Sequence, residues 1–124
     1  MKRILAADDD PAIRFLIQNI LRGKFELTMV GDGDQAIQCL QQDTGWDCLL
    51  LDIEMPNKTG LDVLQFAKGN PKLHHIPVII LTGVTDIRTQ SNALREGVVT
   101  YFRKPFSPSQ LLSVITATTR NFSN

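Results

Sequence analysis

The chain contains four short runs of apolar residues in which polar residues do not alternate. The runs are Ile4–Ala7, Phe25–Val30, Cys48–Leu51 and Val78–Leu81, of which the second is the weakest. Continuous apolar strands are typical of a parallel sheet that is covered on both faces. A fifth, shorter strand is expected at Tyr101–Arg103, just before the last helical segment.

Segments with helical periodicity separate these runs. In the clearest one, apolar residues recur at a spacing that gives a helix one buried stripe; they are Ile13, Leu16, Ile17, Ile20 and Leu21. Pro11 at the first helical position, Asp9 or Asp10 as the capping residue, and Gly23 just past the end delimit this helix. Further helices are predicted at Asp34–Gln42, Gly60–Lys68 and Asp86–Glu96, and from Ser107 onward.

Five strands that alternate with five helices through short connections specify an α/β fold with helices on both faces of a parallel sheet. A length of 124 residues suits one domain. We therefore expect residues 1–124 to form a single doubly wound domain of the flavodoxin-like class, with strand order 2-1-3-4-5.

Charge and composition exclude several function classes. Thirteen basic and thirteen acidic residues balance, so no net field attracts the chain to nucleic acid or to anionic lipid. No apolar stretch approaches the length of a membrane span or a signal peptide, and a cytoplasmic location is expected. Cys39 and Cys48 are interpreted as small buried hydrophobes, and His74 and His75 as solvated loop residues.

Polar residues follow four of the five predicted strands directly. Because the carboxyl ends of parallel strands meet at one edge of the sheet, these side chains are expected to lie together. For this strand order, ligands bind between the first and third strands. The residues concerned are Asp8 and Asp9, then Asp52, then Thr82, then Lys104.

Three clustered carboxylates need a cation nearby, since each close pair repels by several kcal/mol at an effective dielectric of about 20. Carboxylate oxygens suit Mg²⁺, which keeps waters that a phosphate group displaces. Lys104 would neutralise the phosphoryl group from another side. Asp52 between the two charges is then the natural nucleophile.

Two other functions fit parts of the sequence. Gly31 to Ala36 matches the G-x-G-x-x-A pattern of a dinucleotide-binding domain, but that reading leaves Asp8, Asp9, Thr82 and Lys104 unexplained. A phosphatase of the haloacid-dehalogenase type also forms an aspartyl phosphate, from an Asp-x-Asp motif. Here the second acid is Glu54, and the motif would lie on the third strand instead of the first.

The motifs together resemble the response-regulator receiver family of two-component signalling from end to end. They are Ile4 to Pro11 (ILAADDDP), Leu50 to Pro56 (LLDIEMP) with Gly60, Ile80 to Gly83 (ILTG), and Tyr101 to Phe106 (YFRKPF). The resemblance implies a phospho-acceptor switch that catalyses only its own phosphorylation and dephosphorylation. The donor would be a phosphohistidine on a sensor histidine kinase or phosphotransfer domain, and the target a downstream protein or output domain.

The resemblance also assigns roles to individual residues. It makes Asp52 the phosphorylation site, Asp9 a direct metal ligand, Asp8 a ligand through water, and the backbone carbonyl of Glu54 a third contact. Thr82 and Lys104 would hold phosphoryl oxygens, with a cis bond before Pro105. Tyr101 would change rotamer and repack the surface of the fourth helix, fifth strand and fifth helix. Glu54 and Val84 would tune hydrolysis of the phosphorylated state.

Overall fold

A computed structural model of the chain describes residues 1–83 and 97–121. The strands are β1 (Arg3–Ala7), β2 (Glu26–Val30), β3 (Cys48–Asp52), β4 (Val78–Thr82) and β5 (Val98–Arg103). The helices are α1 (Pro11–Leu21), α2 (Gly33–Gln42), α3 (Gly60–Lys68) and the C-terminal helix α4 (Pro108–Asn121). The helix predicted at Asp86–Glu96 and the residue Val84 lie outside the described residues.

All five strands form one parallel sheet in the order β2-β1-β3-β4-β5, as predicted. The register of the strands aligns their carboxyl ends. Ala7 pairs with Leu51, and Asp52 pairs with Leu81. The carboxyl ends of β1, β3 and β4 therefore meet at one edge of the sheet, where the chain leaves each strand for a loop.

Helices cover both faces of the sheet, so the central strands are buried on both sides. On one face, Leu49 and Leu51 of β3 pack with side chains of α2 and α3. On the other face, Cys48 and Leu50 pack with side chains of α1 and α4. Successive strand residues point to opposite faces, and this explains why β3 is apolar at each of these positions.

The helix ends follow from local chemistry. Asp10 caps α1, because its side chain accepts a hydrogen bond of 2.9 Å from the amide of Ala12. Of the two capping residues considered from sequence, Asp10 is therefore the one used. Gly23, just past the end of α1, has a φ of 74°, a left-handed conformation that glycine adopts at little cost.

The two edge strands differ from the central ones. Residues of β2 are half-buried or exposed, although the apolar run there predicted burial on both faces. Strand β5 begins at Val98, three residues before the predicted start at Tyr101. Each edge strand has a neighbour on only one side, and its sequence is correspondingly more polar. None of the described helices is long and apolar enough to cross a bilayer.

Candidate functional site

An acidic cluster lies at the carboxyl edge of the sheet. Asp8 and Asp9 follow β1, and Asp52 is the last residue of β3. One carboxylate oxygen from each lies within 4.8 Å of the other two. Asp8 is fully buried and Asp52 is 3% exposed, whereas Asp9 faces solvent. The three carboxylates predicted from the sequence to share a site are therefore brought together.

Lys104 neutralises part of this cluster. Its Nζ lies 2.8 Å from Oδ2 of Asp8 and 3.3 Å from Oδ1 of Asp52. The backbone amide of Lys104 donates a hydrogen bond of 2.9 Å to the carbonyl of Thr82, which ties the residue to the end of β4. The bond between Lys104 and Pro105 is cis, as the family resemblance implied.

Burial and charge change the ionisation of the two partners. Burial, together with the nearby charge of Asp8, raises the pKa of Asp52 to about 6, although Lys104 acts in the opposite direction. Burial alone would lower the pKa of Lys104, but the close contact with Asp8 and the charges of both carboxylates outweigh it and raise that pKa. The lysine therefore stays protonated, and it compensates only part of the negative charge.

The described residues satisfy the buried carboxylate of Asp8 only in part. Its Oδ1 accepts a hydrogen bond of 2.9 Å from the amide of Asp10. Its Oδ2 is close to Nζ of Lys104, yet within the described residues no donor meets hydrogen-bond geometry at this buried oxygen. A buried carboxylate oxygen that has an ion pair but no aligned hydrogen-bond donor is only partly satisfied. A hard divalent cation with its waters would satisfy it, since such cations prefer oxygen ligands.

The cluster opens into a cleft of about 700 Å³. It is lined by Asp9 and Asp10, which follow β1, and by Gly83 and Lys104, which follow β4 and β5. The loop after β3 forms the remaining wall; it contributes Ile53, Glu54, Met55, Pro56 and Thr59. Asp52 lies at the base, so a phosphate-sized group in the cleft would contact the carboxylate and the lysine together.

The remaining predicted site residues lie near the cleft but not all in its wall. Glu54 is exposed and lines it. Thr82 is the last residue of β4, and only 1% of its surface is exposed. Its neighbour Gly83 lines the cleft at this point. Tyr101 lies in β5 opposite Ile80, half-buried against the core cluster on the face of the sheet that α2 and α3 cover.

The sequence patterns do not explain why residue 60 is a glycine. A Cβ added there would collide with the backbone carbonyl oxygen of Asp52. Only glycine allows the start of α3 to lie this close to the end of β3. In the sequence, the only sign of this close approach was a glycine eight residues after Asp52. The family motif includes that glycine, but the motif alone does not say why a glycine is required.

The glycine pattern that suggested dinucleotide binding has a different explanation. A Cβ added to Gly33 would collide with the backbone carbonyl of Lys58. This glycine therefore lets α2 pack against the loop after β3. The pattern also follows β2, the edge strand, whereas the acidic cluster lies between β1 and β3.

Comparison with known proteins agrees with the geometry. Residues 4–116 match the family model of the response regulator receiver domain. The transcriptional regulatory protein CpxR of Escherichia coli (strain K12) is 35% identical over 121 residues, which are 97% of this chain and 50% of CpxR. This chain thus spans about half the length of the curated relatives it matches.

Solved structures show the same architecture. The receiver domain of a signal transduction histidine kinase from Syntrophus aciditrophicus superposes with a TM-score of 0.90 at 26% identity, covering 100% of this chain and 94% of that one. The Mn²⁺-bound form of response regulator Rcp1 superposes with a TM-score of 0.81 at 29% identity, covering 94% and 91%.

The chain belongs to the response regulator receiver domain family of two-component signalling. Phospho-acceptor function is typical of this family, whose members are phosphorylated by histidine kinases and are not conventional enzymes. The acidic cluster of Asp8, Asp9 and Asp52 has the composition of a metal site.

Proposed function

We propose that residues 1–124 form one receiver domain in which Asp52 accepts a phosphoryl group from a phosphohistidine. A carboxylate oxygen of Asp52 forms the new P–O bond as the P–N bond to the donor histidine breaks. The observation that carries this proposal is the position of Asp52 at the base of an open cleft, 3.3 Å from the ammonium of Lys104. A nucleophile is thereby placed next to a compact cation.

The bound metal in this proposal is Mg²⁺, held by Asp9 and Asp52 directly, by Asp8 through water, and by the backbone carbonyl of Glu54. Mg²⁺ would neutralise charge on the transferring oxygens and orient them. Support comes from the oxygen-only donor set and from the buried Oδ2 of Asp8, at which no donor among the described residues meets hydrogen-bond geometry although Lys104 lies close. Mg²⁺ typically uses only one or two carboxylates and keeps several waters, which suits a cluster open to solvent through Asp9.

Two polar side chains complete the proposed site. Lys104 binds one phosphoryl oxygen while it still contacts Asp8, so the lysine does not move far when Asp52 is modified. Thr82 donates its hydroxyl to another oxygen from the end of β4. These roles are supported by the bond between the Lys104 amide and the Thr82 carbonyl, because it couples the ends of β4 and β5.

The structural response to phosphorylation would involve β5. We propose that Tyr101 changes rotamer when Thr82 is drawn toward the phosphoryl group, which shifts the population of two surface packings. Tyr101 lies beside a groove of about 480 Å³ shared with Ser109 and Gln110 of α4. A downstream protein or an output domain would recognise the altered surface.

The partners follow from the same chemistry. A sensor histidine kinase or a histidine phosphotransfer domain supplies the phosphoryl group. CpxR, which is similar to this chain over half its own length, is named a transcriptional regulatory protein. An output domain with a regulatory role is consistent with that relative. The receiver itself would not bind nucleic acid, because its basic and acidic residues balance.

Phosphorylation by a small donor tests the proposal. Incubation with acetyl phosphate and Mg²⁺ should add one phosphoryl group, measured as intact mass or on a phosphate-affinity gel. Asp52→Asn should abolish the addition. Asp34→Asn, which changes an exposed aspartate at the start of α2, should be labelled like the parent. Equal labelling of Asp52→Asn and the parent would exclude Asp52 as the acceptor.

A further inference from the structure

The loop from Ile53 to Thr59 forms one wall of the cleft and belongs to no helix or strand. Its two ends are held by hydrogen bonds. The amide of Gly60 donates to the carbonyl of Ile53 at 3.0 Å, and Thr59 forms a reciprocal capping box with Asp62 at the start of α3. Between these ends, the Glu54 backbone also hydrogen-bonds to the Asp52 carboxylate, and the rest of the loop is positioned by what holds its middle.

Asn57 holds the middle of the loop. Its φ of 68° is a left-handed conformation, which asparagine tolerates better than most side chains do. Its Nδ2 donates a hydrogen bond of 3.0 Å to Oδ2 of Asp32, a residue 25 positions earlier in the chain. The turn at Asn57 is therefore tied to a separate element.

Asp32 uses its two carboxylate oxygens for two different elements. Oδ1 caps α2 by accepting a hydrogen bond of 2.8 Å from the amide of Gln35, and Oδ2 accepts from Asn57. The side chain of Gln35 accepts in turn from the amide of Gly31 at 2.8 Å. A continuous set of hydrogen bonds thus leads from the end of β2, through the start of α2, to the loop.

The backbone packing at Gly33 supports the same docking. Because a side chain there would collide with the carbonyl of Lys58, the loop touches the first turn of α2 next to the Asn57–Asp32 bond. Asn57 is exposed and Asp32 half-buried, and neither belongs to a core cluster. The effect of the pair falls on the placement of the loop more than on the packing of the sheet.

We propose that Asn57 and Asp32 are a positioning pair that holds the loop after β3 so that the carbonyl of Glu54 remains at the metal site. This inference rests on the proposed function and adds a residue pair that contacts neither the metal nor the phosphoryl group. It predicts that breaking the pair weakens Mg²⁺ binding, because the unrestrained loop must be ordered when the metal binds. The acidic cluster itself is left intact.

Titration calorimetry of the metal-free protein with MgCl₂ tests the pair. Asn57→Gly keeps the left-handed conformation accessible and removes the amide. It should raise the Mg²⁺ Kd about 3- to 10-fold, the equivalent of one net hydrogen bond. The double variant Asn57→Asp with Asp32→Asn exchanges donor and acceptor and conserves net charge. It should bind Mg²⁺ within about twofold of the parent, since the bond is restored.

The outcomes separate this proposal from the proposed function. If Asn57→Gly binds Mg²⁺ like the parent, or if the exchanged double variant is as weak as Asn57→Gly, the positioning role is wrong. The parent is measured alongside for Mg²⁺ binding and for labelling by acetyl phosphate. Binding and labelling by the parent uphold the proposed function whatever the variants do. Failure of the parent in both measurements overturns the proposed function and the positioning role together.

Discussion

The negative charge of Asp52 should destabilise the metal-free protein, and Asp52→Asn removes that charge. The amide of asparagine has nearly the shape of a protonated carboxyl group and fits the same space at the end of β3. We therefore expect Asp52→Asn to be more stable than the parent when divalent metal is absent, although it abolishes phosphorylation.

The size of the effect follows from ionisation. The pKa of Asp52 is raised by burial and by Asp8 from an ordinary 3.8 to about 6 in the folded protein. Each pKa unit corresponds to about 1.4 kcal/mol, so ionisation costs the folded protein up to about 3 kcal/mol at neutral pH. Since the folded state holds the proton more tightly than the unfolded state does, stability should fall as pH rises from about 4 to about 6 and then level off.

Urea unfolding in EDTA measures this difference. The single tryptophan, Trp46, is 6% exposed and reports unfolding through its fluorescence. At pH 7.5, Asp52→Asn should be more stable than the parent by about 1 to 3 kcal/mol, and the gap should close near pH 4. Added Mg²⁺ should stabilise the parent more than the variant, because the metal relieves repulsion only where the carboxylate is present.

Asp34→Asn is the matched control, since it removes an exposed carboxylate from the first turn of α2. It should lose only a few tenths of a kcal/mol, roughly the value of a helix-dipole contact. The prediction would be refuted if Asp52→Asn were no more stable than the parent in EDTA. It would also be refuted if Asp52→Asn and the parent lost stability over the same pH range.

Three further substitutions test other parts of the site. Lys104→Met removes the cation shared by two buried carboxylates and should cost about 3 to 5 kcal/mol in urea unfolding; a loss below 1 kcal/mol would contradict the ion pairs. Gly60→Ala should cost about 1 to 3 kcal/mol and slow labelling by displacing Asp52, whereas Gly83→Ala, with open space around the added Cβ, should leave stability unchanged. Glu54→Ala should alter the dephosphorylation rate by removing a polar group from the cleft, and an unchanged rate would show that Glu54 does not border the water path.

Much of the fold could be predicted from short-range patterns. The apolar run at Cys48–Leu51 and the capping residues before α1 are local signals, and the structure confirms both elements. The start of α3 at Gly60 also agrees. The bounds of β5 could not be predicted, because Val99 is 41% exposed at the edge of the sheet and the segment lacks a continuous buried run.

The grouping of the site residues could also be predicted from their positions along the chain. Parallel strands bring their carboxyl ends to one edge, so Asp8, Asp52 and Lys104 could be placed together from their positions after strands. Contacts between two loops carry no such signal. The bond between Asn57 and Asp32 spans 25 positions, and it depends on how the loop after β3 lies against α2, which no local pattern encodes.

The identity of the phosphorylated residue tests the central claim most directly. The protein is labelled with acetyl phosphate and Mg²⁺, the acyl phosphate is reduced with borohydride, and the modified peptide is sequenced by mass spectrometry. Of the thirteen acidic residues in the chain, Asp52 alone should be converted to homoserine. Conversion of another acidic residue with Asp52 unmodified would contradict the account.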